Sequence, residues 1–100
     1  MKMKQTLKST IGTSFHGVTV LATYNQIEDI FGKPNFDQSG DNKVTYEWNI
    51  DVDGEVCTIY DWKEYRKFDN DEKIEWHIGG YNKTSENKLK DYIEDKLQIG

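Results

Sequence analysis

The chain has 100 residues, with one cysteine, one proline and one arginine. A single cysteine excludes an internal disulfide and a zinc site built from several thiolates, and it fits a reducing compartment. No apolar run approaches the roughly 20 residues of a membrane span. No apolar stretch follows the basic N-terminus as it would in a signal peptide. We therefore expect a cytoplasmic protein without a cofactor and without a membrane partner.

Residues 1–27 contain no acidic residue, and Glu28 is the first in the chain. Residues 1–22 carry three lysines and a charge of +3, whereas residues 23–100 hold ten basic and eighteen acidic residues, a charge of −8. The net charge of −5 disfavours direct binding of nucleic acid, which needs a basic footprint. An acidic surface favours a basic partner or simply keeps the protein in solution.

Aromatic residues are abundant, with three Trp, four Phe and six Tyr. Large rings bury much area per residue, which suits a thin sheet covered by few helices. One hundred residues are enough for a single domain with one core, spanning 1–100.

The stretch from Lys43 to Trp62 predicts a β-hairpin. Apolar and polar residues alternate up to Asp53-Gly54, a dipeptide that favours a two-residue type I′ turn. A two-residue turn places Trp48 opposite Ile59. The core face then carries Tyr46, Trp48, Ile50, Cys57 and Ile59, and the other face carries Thr45, Glu47, Asn49, Thr58, Tyr60 and Trp62. Asp61 falls on the core side, so its charge needs a partner such as Lys63 or Arg66.

Other segments supply two helices and one more strand. Thr23 and Gln26 have the spacing of a capping box, while Gly32 and Pro34 mark the end of that helix. Ile74, Trp76 and Ile78 alternate with polar residues in a strand that we expect to stop at Gly79-Gly80. Thr84-Ser85 is expected to cap a final helix, whose buried stripe comprises Leu89, Tyr92, Ile93 and Leu97.

This order predicts an α+β fold. An antiparallel β-meander sheet of three to five strands has two helices packed on one face, giving a two-layer sandwich. Residues 1–10 are expected to be either a frayed end or a short edge strand.

Two regions are candidates for function. The face opposite the helices collects Glu47, Asn49, Thr58, Tyr60, Glu75 and His77, either as a ligand-binding surface or as an ordinary solvated sheet face. The stretch Gly12–Gly17 is predicted to be a polar loop, whose Thr13, Ser14 and His16 donate to a ligand or merely form a tight turn. The two histidines lack the spacing of metal ligands, so no metal site is predicted.

The segment Tyr60–Arg66 concentrates aromatic and basic residues. Tyr, Trp and Arg are the residues that anchor protein interfaces. The candidate binding residues there are Tyr60, Trp62, Lys63, Tyr65 and Arg66, and His77 joins them from the next strand. Structural pairing with Asp61 is the alternative role of this segment.

Three stretches carry a resemblance to a known group of proteins. Gly12–Gly17 (GTSFHG), Thr58–Arg66 (TIYDWKEYR) and Glu75–Gly80 (EWHIGG) resemble small proteins encoded by bacteriophages and prophages. The resemblance spans roughly residues 11–81 and brings no catalytic residue with it. It implies an accessory phage protein that acts in the cytoplasm of the host cell, a class rich in inhibitors of host enzymes and of host defence.

The leading hypothesis is a small acidic protein that is not an enzyme. It binds and inhibits a host protein, such as a defence factor of the CRISPR or restriction type. Carboxylates can mimic phosphates in a nucleic-acid-binding groove, and the candidates are Asp51, Asp53, Glu55, Asp69, Asp71, Glu72 and Glu75.

Two alternatives stay open. One is a small-molecule binder that sequesters a nucleotide immune signal through Gly12–His16, Lys63, Arg66 and His77. The other is a hydrolase that uses His16 or His77 with Glu75. Both a monomer and a homodimer are compatible with the sequence.

Overall fold

The chain folds into one antiparallel sheet covered by two helices. The structure is a computed structural model and describes residues 3–7, 10–35, 46–61 and 71–99. In chain order its elements are β1 (Lys4–Gln5), β2 (Ser14–Ala22), α1 (Tyr24–Phe31), β3 (Glu47–Val52), β4 (Glu55–Tyr60), β5 (Ile74–Gly80) and α2 (Lys83–Ile99). The sheet order is β1-β3-β4-β5-β2. The helix α2 packs against β2, β3, β4 and β5, and α1 packs against α2.

The predicted α+β fold is therefore confirmed. The meander is β3-β4-β5, with β2 added beside β5. The N-terminal residues Lys4 and Gln5 form a short edge strand by pairing with Asp51 and Ile50 of β3. Within the described ranges, no helix is long and apolar enough to cross a membrane.

The hairpin has the register that its sequence predicts. Trp48 pairs with Ile59, and Val52 pairs with Glu55 on either side of the turn. Asp53 and Gly54 have φ values of 54° and 90°, as a type I′ turn requires. The Asp51 carboxylate accepts a hydrogen bond from the Gly54 amide at 2.8 Å, which fastens the turn.

Two tryptophans form the centre of the core and hold α1 at both of its ends. Trp48 and Trp76 are fully buried, with ring centroids 5.4 Å apart in an edge-to-face arrangement. The indole N–H of Trp48 donates to the carbonyl of Gly32 at 2.8 Å, and that of Trp76 donates to the carbonyl of Ala22 at 2.9 Å. Each buried indole thereby satisfies its donor while it fixes one end of the helix.

The predicted capping box of α1 is present. The Thr23 hydroxyl accepts from the Gln26 amide at 3.0 Å, and the Gln26 side chain accepts from the Thr23 amide at 2.9 Å. Gly32 ends the helix with a φ of 88°, a conformation that glycine adopts readily.

The prediction for the start of α2 is wrong. The helix begins at Lys83, and the Asn82 side chain accepts from the Ser85 amide at 2.9 Å. Asn82 is therefore the cap, because asparagine accepts from the first-turn amides as well as serine does. Ser85 instead donates its hydroxyl to Glu55 at 2.6 Å. The buried stripe is confirmed: Leu89 and Ile93 are fully buried, and Tyr92 and Leu97 are partly buried against the core.

The predicted Gly12–Gly17 loop is also wrong. The strand β2 already starts at Ser14 and is irregular between Phe15 and Val18, where Gly17 has a φ of 97°. Such bulges admit extra residues without ending a strand. The real turn lies just before it, where the Thr13 amide donates to the Thr10 carbonyl at 3.0 Å. On the neighbouring strand, β5 ends at Gly80, so the predicted end at Gly79-Gly80 is confirmed.

Candidate functional site

The sheet places the predicted site residues on two different faces. Tyr60 and His77 lie on the face away from the helices, whereas His16 contacts α2 on the helix side. The structure therefore separates His16 from Tyr60 and His77, which the nucleotide hypothesis requires in one pocket. The predicted residues Trp62, Lys63, Tyr65 and Arg66 lie outside the described residues.

We call the surface away from the helices the outer face. Its centre is a row of side chains paired across four strands, Glu47 with Tyr60, Tyr60 with His77, and His77 with Thr19. Phe15 stacks on the His77 ring with centroids 4.4 Å apart and an interplanar angle of 14°. Tyr60 approaches the same ring edge-on at 5.5 Å. The outer face is thus an aromatic surface with the carboxylates of Glu47 and Glu75 at its sides.

A cavity of about 250 Å³ opens on the outer face. Its lining residues are Thr10, Thr13, Ser14, Phe15, Glu47, Thr58, Tyr60 and Gly79. Gly79 makes this site possible, because a Cβ there would come within 2.8 Å of the Thr58 hydroxyl and 3.2 Å of the Ser14 carbonyl. The strands β2, β4 and β5 therefore come close together at this point. Hydroxyl and aromatic side chains line the cavity above them.

Burial changes the acidity of the titratable groups on the outer face. It raises the pKa of the Glu47 carboxyl. Burial also raises the pKa of Tyr60, and the charges of Glu47 and Glu86 add to that effect. The pKa of His77 is lowered by burial, against an opposing effect from Glu75. Among the described residues no cation pairs with Glu47, so none of them compensates its negative charge.

A second arrangement lies on the helix side. The Nδ1 atom of His16 is 2.5 Å from Oε2 of Glu86, and its Nε2 atom is 3.5 Å from the hydroxyl of Ser14. We call these three residues the Ser14–His16–Glu86 row. Glu86 is fully buried in the first turn of α2, and the His16 side chain is 33% exposed. The other Glu86 oxygen, Oε1, is buried and accepts no hydrogen bond from the described part of the chain.

The groups around Glu86 fix its position. A Cβ on Gly80 would come within 3.1 Å of Glu86 Cγ, Glu86 Oε2 and Cys57 Sγ. Cys57 is buried as predicted, and burial raises the pKa of its thiol to about 12, helped by the charges of Glu86 and Glu55. The thiol is therefore a core group and not a nucleophile at neutral pH.

Internal contacts occupy the acidic residues near the hairpin turn. Asp53 pairs with Lys88 at 3.0 Å, and Glu55 accepts from Ser85 and from Asn82 at 2.6 and 3.2 Å. Asp51 binds the turn amide. These three carboxylates stabilise the fold, which makes them poor mimics of phosphates. Of the other candidates, Asp71 and Glu75 are exposed, and Asp69 lies outside the described residues.

Three residues of these sites were missed from the sequence. The pattern predicts a loop up to Gly17 and gives Phe15 no role, and it predicts a frayed end or a short edge strand for the stretch that contains Thr10. Glu86 lies 70 positions away from His16, and no local spacing links the two. The strand periodicity did identify the outer-face positions of Glu47, Thr58, Tyr60 and His77.

Comparison with known proteins gives no relative from which a role can be transferred. No family model matches the chain, and no curated protein and no solved structure matches it significantly. The described ranges contain no group of three or more His, Cys, Asp and Glu side chains that could hold a metal ion. Any function must therefore be inferred from the two arrangements described above.

Proposed function

We propose that this chain is a phage or prophage accessory protein that binds a host protein through the outer face and inhibits it by occupancy, without a chemical step on the partner. The observation that carries this proposal is Glu47, a partly buried carboxylate that lines a cavity with Tyr60 and Phe15 and has no cationic partner among the described residues. Such a cavity suits a basic side chain of a partner protein.

The chemistry of the cavity favours a lysine or an arginine from the partner. A cation beside Glu47 would compensate a charge that burial has made less favourable. The rings of Tyr60 and Phe15 line the same cavity, and aromatic rings attract a guanidinium. The hydroxyls of Thr10, Thr13 and Thr58 are available to its remaining donors.

The charge of the whole chain supports the same kind of partner. A net charge of −5 attracts a basic surface and accelerates the encounter at low ionic strength. Proteins that bind nucleic acid present such surfaces, which fits a host nuclease of a defence system as the target.

This proposal predicts a pH dependence. Glu47 must be ionised to bind a cation, so affinity falls as the pH is lowered through the pKa of its carboxyl. Burial raises that pKa, so the loss begins at a higher pH than it would for an exposed glutamate. For the variant Glu47→Gln, we expect the affinity not to fall in this pH range.

The test is affinity capture from host lysate with the tagged chain, followed by mass spectrometry. The matched variants are Glu47→Gln and Glu94→Gln, because Glu94 is exposed on α2 and both changes remove one negative charge. We expect one stoichiometric host protein with the wild type and with Glu94→Gln, and little or none with Glu47→Gln. Equal recovery by all three proteins would refute the role of the outer face.

A further inference from the structure

The Ser14–His16–Glu86 row has the order of groups found in serine hydrolases: a hydroxyl, an imidazole and a carboxylate. We propose that this row makes Ser14 a nucleophile that accepts the acyl group of a neutral or cationic carboxylic ester. This activity lies beyond the proposed binding function and does not depend on it, because His16 and Glu86 contact each other on the helix side of the sheet.

The hydrogen bonds define the role of each group. Glu86 is fully buried, and its Oε2 atom is an acceptor for the proton on Nδ1 of His16 at 2.5 Å. With the proton on Nδ1, the lone pair of Nε2 faces the Ser14 hydroxyl and can take its proton. Glu86 is a positioning residue, since it holds the tautomer and the orientation of the ring but does not reach the hydroxyl.

Burial and exposure are distributed as this chemistry requires. The hydroxyl must meet a substrate, and Ser14 is exposed. The His16 ring is partly shielded and Glu86 is completely shielded, so the buried carboxylate acts on the imidazole without competition from water. The distance of 3.5 Å between Ser14 Oγ and His16 Nε2 is long, as catalytic hydrogen bonds often are before substrate binds.

The surrounding charges select the class of ester. The buried carboxylate of Glu86 lies directly behind His16. This carboxylate and the net charge of −5 of the chain disfavour phosphate esters and other anionic substrates. A neutral or cationic carboxylic ester meets no such repulsion.

The reaction is an acyl transfer to Ser14 followed by hydrolysis. The Ser14 oxygen bonds to the ester carbonyl carbon while its proton passes to Nε2 of His16. The carbon–oxygen bond to the alcohol then breaks, and His16 gives the proton to the leaving alcohol. Water next attacks the acyl carbon while one of its protons passes to Nε2 of His16. The bond between that carbon and the Ser14 oxygen then breaks, His16 returns the proton to the Ser14 oxygen, and the carboxylic acid leaves.

The test uses p-nitrophenyl acetate, release of nitrophenol and mass spectrometry of the full chain. We expect an acetyl group on Ser14 and catalytic turnover, both lost in Ser14→Ala. We expect His16→Asn to lower kcat by a factor of about 100 or more, with KM little changed. The matched control is Thr84→Ala, which removes an exposed hydroxyl from α2 and should keep the wild-type rate.

Glu86→Gln tests the positioning role. We expect kcat to fall with KM unchanged, and the strongly deshielded Nδ1 proton of His16 to disappear from the proton NMR spectrum. Circular dichroism checks that each variant folds. If Glu86→Gln does not fold, His16→Asn decides alone, since its side chain is partly exposed. The proposal is overturned if acetyl groups appear only on lysines, if Ser14→Ala reacts like the wild type, or if His16→Asn acetylates Ser14 at the wild-type rate.

Discussion

Removal of His16 should destabilise the fold through the carboxylate that it leaves behind. In His16→Ala the fully buried Glu86 would lose its 2.5 Å hydrogen bond, and its Oε1 atom already accepts none from the described residues. Leaving a buried acceptor without its hydrogen bond costs about 1–3 kcal/mol, and more when the group is charged. The His16 side chain is 33% exposed, so water can replace the imidazole, and the loss should be about 2 kcal/mol.

The assay is urea unfolding monitored by tryptophan fluorescence. Two tryptophans are buried in the core, so their emission changes when the core unfolds. A loss of about 2 kcal/mol corresponds to a fall in Tm of about 8–16 °C for a domain of this size. The double variant His16→Ala/Glu86→Met should recover most of the loss, because replacing both polar partners by apolar groups is often nearly neutral. The reasoning is refuted if His16→Ala unfolds at the wild-type urea concentration, or if adding Glu86→Met restores nothing.

Three further predictions concern the hairpin, the first helix and the thiol. Gly54→Ala should lower the free energy of unfolding by about 1–2 kcal/mol, because Gly54 has a φ of 90° that disfavours any side chain; an unchanged urea midpoint would contradict this. Thr23→Ala should cost about 1 kcal/mol by removing the cap of α1, whereas Asn25→Ala at an exposed position of that helix should cost little; similar losses would show that the cap is unimportant. The buried Cys57 thiol, with its pKa raised to about 12, should react with a disulfide reagent at pH 8 only after unfolding. Fast reaction of the native protein would mean that the thiol is accessible.

Local patterns made most of the sheet predictable. The alternation before Asp53-Gly54 determines both the turn and the register, because a slip of one residue would place Trp48 and Ile50 on the solvent side. The alternation of Ile74, Trp76 and Ile78 likewise identified the core face of β5. Each of these signals lies within a few residues of sequence, which is why it can be read without the structure.

The failed predictions involve tertiary contacts or ambiguous local signals. Ser85 looks like a helix cap, but its hydroxyl donates to Glu55 30 residues away. Gly12 and Gly17 look like the ends of a loop, although only the first belongs to a turn and the second lies in an irregular stretch of β2. Polar and glycine residues fit both interpretations, and pairing with β5 decides between them.

In the candidate sites, too, some positions can be predicted from local patterns, whereas others depend on tertiary contacts. The outer-face residues Glu47, Tyr60 and His77 follow from strand periodicity and pairing. The contact between His16 and Glu86 joins an edge strand to a helix across 70 residues, so only the folded chain reveals it. The cavity likewise depends on Gly79, whose missing side chain lets Thr58 and the Ser14 backbone come close.

The central claim is that Glu47 on the outer face binds a basic group of the partner protein. Its most direct test is the dissociation constant of the captured partner, measured by calorimetry for the wild type, Glu47→Gln and Glu94→Gln. The account predicts that Glu47→Gln weakens binding at least about tenfold, that Glu94→Gln does not, and that lower pH weakens only those proteins that keep Glu47. Equal dissociation constants for the two variants would contradict it.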